Sequence, residues 1–248
     1  MKANHLYRPT NVHLYDGKII TTDVFMVNET ELAVYLNQFY ITTLLASPGA
    51  EPELAVGYLL SEGIIGVNSR LVSLKYSPGQ IDLSTCEPSP EVNGAEGVAL
   101  KMEKKTRSID PDGAVQFRAE HLLKLVQELE HHSYTFKLTG GVHSAALADS
   151  NSILLRYEDI GRHNAFDKVV GHAYLQKIPL RDKCLVLSGR ITREIMAKAV
   201  SNEIPLLVSR SAPTLESVHW AERMGISVVG FARGQRFNIY SHPQRIVV

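Results

Sequence analysis

The stretch Asp159-Ile160-Gly161-Arg162-His163-Asn164-Ala165-Phe166-Asp167-Lys168-Val169-Val170-Gly171 holds the densest set of side chains that could do chemistry. At a period of 3.6 residues it divides into two faces. Ala165, Phe166, Val169, Val170 and Ala173 form an apolar stripe suited to a core. His163, Asn164, Asp167 and Lys168 fall opposite, with His163/Asp167 and Asn164/Lys168 spaced i,i+4 for pairing. Gly171 lies within the polar face, where a missing side chain admits a close neighbour. A face meeting only water seldom combines His, Asn, Asp, Lys and Gly without a glutamate, so these residues are candidates for ligand contact or proton transfer. The alternative is a solvated helix face with ordinary ion pairs. Asp167 stands off the apolar stripe, so its replacement by alanine is expected to perturb the polar face without unfolding the chain.

A second set recurs in loops: Ser188-Gly189-Arg190, Ser209-Arg210-Ser211 and Gly230-Phe231-Ala232-Arg233-Gly234-Gln235-Arg236. Each follows an apolar, strand-like run. In an open α/β sheet the ligand crevice lies beyond the carboxyl ends of the strands. Helix N-termini there present free N–H groups and a positive dipole end, and arginine pairs bidentately with phosphate oxygens. Four arginines on three successive strand ends predict a cradle for phosphate or pyrophosphate; any one alone would be surface decoration. Neither GxxxxGK[ST] nor GxGxxG occurs. In Thr139-Gly140-Gly141-Val142-His143-Ser144 the glycines allow close backbone approach. His143 could donate to a ligand or relay a proton, with a satisfied structural histidine the equal alternative. His143, His163 and His172 are too loosely spaced for a ligand set and no CxxC completes one, so no metal site is expected.

The elements that must hold these residues divide the 248-residue chain at a charged loop, Lys104 to Gly113, into a β-rich part (residues 1–115) and an α/β part (residues 116–248). In the first, Asp16-Gly17 predicts a tight turn. Val24 to Ala46 predicts an antiparallel meander interrupted at Asn28-Glu29-Thr30 and Asn37-Gln38. A helix to about Glu62 follows, capped by Ser47 or by Glu51 and Glu53, with Leu54, Tyr58 and Leu59 inward and Gly63 closing it. Strands are expected near Leu71–Tyr76 and Val98–Met102, and a helix from about Arg118 with Leu122, Leu123, Val126 and Leu129 as its stripe. In the second part, Ala145–Ala148 and Ile153–Tyr157 form a hairpin. Strands Cys184–Leu187, Pro205–Val208 and Ser227–Phe231 alternate with helices Ile191–Asn202 and Thr214–Met224. This alternation predicts a mostly parallel sheet covered on both faces. In the helix after Gly189, Glu194 and Lys198 are expected to pair outward.

Twenty-six basic and twenty-six acidic side chains cancel, which argues against bulk binding to nucleic acid or an anionic membrane. No apolar run approaches membrane length. Two cysteines, Cys86 and Cys184, make no disulfide framework, so a reducing cytoplasm is expected.

These stretches resemble the FdhD-type formate dehydrogenase accessory proteins. The resemblance runs through Ser47-Pro48-Gly49 to Ile65, Thr139 to His143, Glu158 to Lys168, Ser188-Gly189-Arg190, Ser209 to Thr214 and Gly230 to Asn238, most of the chain after about residue 20. It implies a sulfur carrier that takes persulfide sulfur from a cysteine desulfurase and passes it to the molybdenum cofactor of formate dehydrogenase. That cofactor is a bis(molybdopterin guanine dinucleotide), so the implied ligand is that cofactor or a GDP-like nucleotide. The implied fold is a cytidine-deaminase-like mixed sheet whose first two strands form a hairpin, and a homodimer is allowed. By similarity the cofactor-binding stretch is Phe231, Ala232, Arg233, Gly234, Gln235 and Arg236. To these the residue reading adds Gly140, Gly141, His143, Asp159, Gly161, Arg162, His163, Asn164, Asp167, Lys168, Ser188, Gly189, Arg190, Arg210 and Ser211.

One departure bears on activity. The resemblance implies a CxxC pair in a loop corresponding to Lys104–Gln116, and no cysteine lies there. A persulfide needs a thiolate, which Asp, Ser or Thr cannot replace. Cys86 sits in a polar loop and Cys184 opens an apolar strand, so the sulfur-carrying role passes to neither, and no catalytic residue is assigned. Two other readings stay open. One is a non-catalytic scaffold between a cysteine desulfurase and a molybdoenzyme, with the β-rich part as its docking surface. The other is a nucleotide-modifying enzyme acting at His143, His163 and Asp167, although zinc deaminases need an HxE and a PCxxC that are absent here.

Overall fold

A computed structural model of the chain describes residues 6–86, 108–110 and 115–248; the strand expected at Val98–Met102 lies outside them. Strands β1 (Tyr7–Tyr15) and β2 (Ile19–Val27) form a two-stranded ribbon in register from Tyr7/Val27 to Tyr15/Ile19. Gly17, at φ +71°, supplies the expected turn. The predicted meander does not continue from this ribbon. Strands β3 (Thr30–Leu36) and β4 (Phe39–Ala46) belong to a separate four-stranded sheet, in the order β4-β3-β6-β5 with β5 (Leu71–Ser77) and β6 (Gln80–Thr85). Asn37 and Gln38 both take positive φ, the geometry that joins β3 to β4 tightly. Strand β6 pairs parallel to β3 and escaped the sequence reading, because its alternation Ile81-Asp82-Leu83-Ser84 keeps the strand period over only four residues.

Helix α1 (Glu51–Ser61) begins after Ala50, which takes a left-handed conformation without any side-chain cap. Ser47 therefore does not cap it. Its hydroxyl instead accepts from the Ile160 N–H at 3.1 Å, and its own N–H donates to Asp159 at 3.1 Å. Helices α2 (Ala119–His131) and α3 (Tyr134–Thr139) follow β7 (Phe117–Arg118), which pairs with β14 (Ile246–Val247) at the far end of the chain. On α2 the buried stripe is Leu122, Leu125, Val126 and Leu129, with Leu125 where Leu123 was expected.

The second half builds a six-stranded sheet in the order β13-β12-β11-β10-β8-β9. Strands β8 (His143–Ala148) and β9 (Ile153–Asp159) form the predicted hairpin. Strands β10 (Cys184–Leu187), β11 (Leu206–Ser209) and β12 (Ser227–Arg233) run parallel, while β8 and β13 (Arg236–Ser241) flank them antiparallel. The sheet is thus mixed rather than mostly parallel. Alternate strand residues divide between two cores, as the two-residue period requires. Ala145, Leu147, Leu185, Leu187 and Leu207 join one cluster, with helices α4 (Arg162–Leu175), α5 (Arg193–Ser201) and α6 (Leu215–Met224) on that face. Ala146, Ala148, Cys184, Val186 and Val208 face α2 on the other side.

The first cluster does not stop at the sheet. It runs through α4 and α1 into Leu32, Val34, Ile81 and Leu83 of the four-stranded sheet, so the β-rich and α/β parts share one core. Glycines make the helix contact close. A Cβ on Gly171 would lie 1.8 Å from the Glu53 carbonyl oxygen, and one on Gly57 would lie 1.8 Å from that of Asp167. The two helix backbones touch, and no larger residue fits either position.

Candidate functional site: the loop-bearing edge of the six-stranded sheet

Strand directions gather the sequence motifs at one edge. Strands β9, β10, β11 and β12 all end there, and β8 and β13 begin there. The edge therefore collects Gly140 to His143, Gly161 and Arg162, Ser188 to Arg190, Ser209 to Ser211, and Phe231 to Arg236. Hydrogen bonds fix the loops against one another. The Ser144 N–H donates to the Ser188 hydroxyl at 2.9 Å, and the Ser188 N–H donates to the Ser144 carbonyl at 3.0 Å. Ser209 is buried beneath the next two loops. Its hydroxyl donates to the Gly189 carbonyl at 2.6 Å and accepts from the Ser211 N–H at 2.9 Å. Its role escaped the sequence reading; the signal was a small hydroxyl ending an apolar strand.

Gly189 has a reason to be glycine. A Cβ there would sit 3.3 Å from His143 Nδ1 and 3.5 Å from the Arg162 Cβ and Cδ, so ring, loop and arginine stem converge on it. Burial first, then the charges of Arg162 and Arg190, hold His143 below its ordinary value of 6.5. Arg162 Nε is buried without an acceptor among the described residues. Such a donor costs free energy until something accepts from it. Arg190, Arg233 and Arg236 are exposed, and none of them forms an ion pair among the described residues. Arg210 is engaged, 2.6 Å from Glu130 of α2.

The last loop is a tight hairpin between β12 and β13, with Arg233 opposite Arg236 and Gly234-Gln235 exposed at its tip. Phe231 has φ +53°, an uncommon conformation for a bulky side chain and costly to hold. Its N–H donates to the Ser211 carbonyl at 3.0 Å, and the Arg233 guanidinium lies 5.3 Å from its ring. The ring is 37% exposed, so an aromatic surface stands beside the arginines. Ala232 is fully buried in the α2-side core and offers no side chain to the edge.

The profile of the FdhD/NarQ family matches residues 27–247. The chain belongs to the FdhD/NarQ family. It is 36% identical over 251 residues to the sulfur carrier protein FdhD of Bacillus pumilus, covering 95% of each chain. With the sulfur carrier protein FdhD of Bacillus subtilis the identity is 34% over 244 residues, 93% of each chain. A crystal structure described as a formate dehydrogenase accessory protein, from Desulfotalea psychrophila, superposes with a TM-score of 0.86. It is 23% identical and covers 98% of this chain and 100% of that one, which establishes the shared fold.

In this FdhD/NarQ chain the face of α4 that opened the sequence reading turns inward. Asp167 and Lys168 are each 1% exposed. Their expected i,i+4 partners are replaced by partners from elsewhere. Asp167 accepts from Lys198 of α5 at 2.8 and 3.1 Å, and Lys198 also reaches Glu62 at 2.9 Å. Burial works against the Lys198 charge, but Asp167 and Glu62 outweigh it and raise the ammonium above its ordinary value. Lys198 consequently points inward instead of pairing with Glu194. Lys168 meets Asp159 at 2.7 Å and donates to the Ser47 carbonyl at 2.9 Å. Asn164 donates to Asp159 at 2.9 Å and to the Leu45 carbonyl at 2.8 Å. Only His163 looks outward, 3.3 Å from Glu194, and burial first holds its ring below the ordinary value. The close approach anticipated at Gly171 is made by α1. Four of the anticipated contacts (Asp159, Asn164, Asp167 and Lys168) thus tie the two halves together.

Gly140 ends α3 in a left-handed conformation, and a Cβ on Gly141 would lie 2.9 Å from Val27 Cγ1. This is where the ribbon β1–β2 leans on the body of the protein. Cys184 is fully buried, and burial pushes its thiol far up, which leaves it inert. Cys86 is exposed at the end of β6, in the other sheet. No cluster of three or more metal-ligating side chains exists among the described residues, and no helix among them is long and apolar enough to cross a membrane.

Proposed function

We propose that this protein acts in formate dehydrogenase maturation, binding the guanine- and pyrophosphate-bearing part of the bis(molybdopterin guanine dinucleotide) cofactor at the sheet edge. The observation that carries this is the placing of Arg162 and Arg190 beside His143 and Gly189, on the same sheet edge as the exposed Arg233 and Arg236, with the buried Arg162 Nε lacking an acceptor among the described residues. A diphosphate supplies such acceptors, arginine is the side chain best matched to it, and the N-terminus of the 14-residue α4 opens beside them. The Phe231 ring is the aromatic surface available to a base. The names of the Bacillus relatives and of the Desulfotalea psychrophila neighbour support the accessory role in formate dehydrogenase maturation.

Sulfur transfer enters differently. The sequence offers only Cys86 and Cys184; the second is buried and inert, and neither has a CxxC partner. The chain therefore presents the cofactor, while the persulfide thiolate comes from a partner, with a cysteine desulfurase as the sulfur donor, in the cytoplasm. A homodimer fits the same scheme. Calorimetric titration with GDP, against AMP as control, tests the crevice. Selective GDP binding is expected, and binding of neither nucleotide overturns it.

One observation favours a second reading, a scaffold between desulfurase and dehydrogenase. The ribbon β1–β2 exposes Leu14, Tyr15, Ile19, Phe25 and Met26, and Tyr15 and Ile19 are more than 70% exposed. Such ribbons need a packing surface to be stable. Absence of GDP affinity, with partner binding lost on deleting the ribbon, would favour the scaffold.

A further inference from the structure

We infer that His143 couples ligand capture to protonation: a pyrophosphate-bearing ligand binds at the sheet edge together with one proton, which His143 takes up. The inference rests on the anion-crevice reading and adds to it a specific role for one side chain.

His143 opens β8 at the level where β9 and β10 end, between Arg162 at the head of α4 and Arg190 after β10. Both flank the same glycine, since the unfilled Cβ position of Gly189 lies 3.3 Å from the His143 ring and 3.5 Å from the Arg162 stem. Among the described residues, the carboxylates that β9, α2 and α5 bring toward this edge are engaged elsewhere, Glu130 of α2 with Arg210 at 2.6 Å. Asp159, opposite in the β8–β9 register, is held by Lys168 at 2.7 Å. Glu158 accepts the N–H groups of Thr135 and Phe136 at 3.1 and 3.0 Å. Glu194 meets His163 at 3.3 Å and Arg162 only at 4.0 Å. His143 is therefore half buried beside two cations, and burial first, then those charges, disfavour its protonated form in the free protein.

A bound diphosphate reverses that field. An opposite charge within about 4–6 Å raises a histidine by roughly one to three units. A neutral imidazole also has a single N–H to offer, whereas the protonated ring has two. The bound state thus favours the imidazolium, and the proton comes from the buffer. The sign follows from linkage: the liganded state binds more protons, so affinity rises as pH falls below about 7 and levels off below the free-state value. Capture is tight when the site can draw a proton and looser when it cannot.

The test is calorimetry on the whole protein with GDP-mannose, whose phosphates are diesters and keep their charges throughout this pH range. Titrations in two buffers of different ionisation enthalpy, at about pH 5.5, 6.5 and 7.5, count the protons. An uptake of about half to one proton near pH 6.5 is expected, with Kd falling about tenfold from pH 7.5 to pH 5.5. His143→Gln should abolish both effects, leaving a Kd that no longer varies across this pH range. Arg190→Gln removes one of the cations and should shrink the uptake, which keeps the assignment testable if the His143 variant does not fold. Binding without proton uptake overturns the inference and leaves the crevice standing, as does uptake that persists in His143→Gln. Failure of both GDP and GDP-mannose to bind overturns the crevice and the inference together.

Discussion

Two regions rich in charged side chains do opposite work. On the inner face of α4, the charges are engaged: Asp167 with Lys198, which also holds Glu62, and Lys168 with Asp159 and the Ser47 carbonyl. At the sheet edge, Arg190, Arg233 and Arg236 are exposed and without an ion pair among the described residues, and Arg162 keeps a buried donor unused. A buried charge without a partner is prohibitively costly, so the inner set is bound to be self-sufficient. An exposed cation costs little to leave unpaired, so only the outer set remains available for a ligand. Residue type alone does not separate the two; partner count does.

The contrast can be broken most severely at the helix contact. Gly171→Ala places a methyl on the Glu53 carbonyl and should cost about 3 kcal/mol, the upper range for overpacking, seen as a large drop in melting temperature. Asp167→Ala strands Lys198 against Glu62 alone and should cost about 3 kcal/mol or more in chemical denaturation. GDP affinity of the folded fraction should be unchanged. A fall of less than about 1 kcal/mol would mean that the inner charges are solvated after all. At the outer region the pattern reverses. Arg233→Ala with Arg236→Ala should weaken GDP binding about tenfold or more while moving the melting temperature little, since both side chains are exposed.

The histidines sharpen the comparison through pH. His143 and His163 both lie below 6.5 in the folded protein, so between their folded values and 6.5 the unfolded chain binds more protons. Stability should therefore fall as pH drops below about 7, and thermal melts of the His143→Gln variant should show a flatter profile. The smallest effect is expected at Cys86, exposed and remote from the edge loops in sequence and sheet. Cys86→Ser should change stability by less than about 0.5 kcal/mol and leave accessory function in cells intact.

The strand-end loops were legible in the sequence because apolar runs of four residues followed by Ser or Gly and Arg report both a strand and its end. Phe166, Val169 and Val170 were legible as core for the same reason of period. The opposite face of α4 was not. Helical period assigns residues to a face but does not say what the face meets, and here it meets α1 and α5 from 31 to more than 100 residues away. Gly57 was the missing clue: a second helix with an interior glycine marks the surface that lets two backbones touch. The positive φ of Phe231 and the wiring through Ser209 depend on tertiary contacts, and no local pattern encodes them.

The ties between the halves have a consequence for biosynthesis. Ser47 waits for Asp159, Glu62 for Lys198, and Ser61 for Asn202, separations of 112, 136 and 141 residues. At about 5–20 residues per second, a ribosome needs roughly six to thirty seconds to deliver those partners. Through that interval α1 carries an apolar face whose cover has not yet been made, and the four-stranded sheet has no α4 beneath it. Long-range closure of this kind is slow and leaves nascent chains open to aggregation. Soluble yield on expression is therefore expected to rise with chaperone supply or slower synthesis, even for variants whose melting temperature is unchanged.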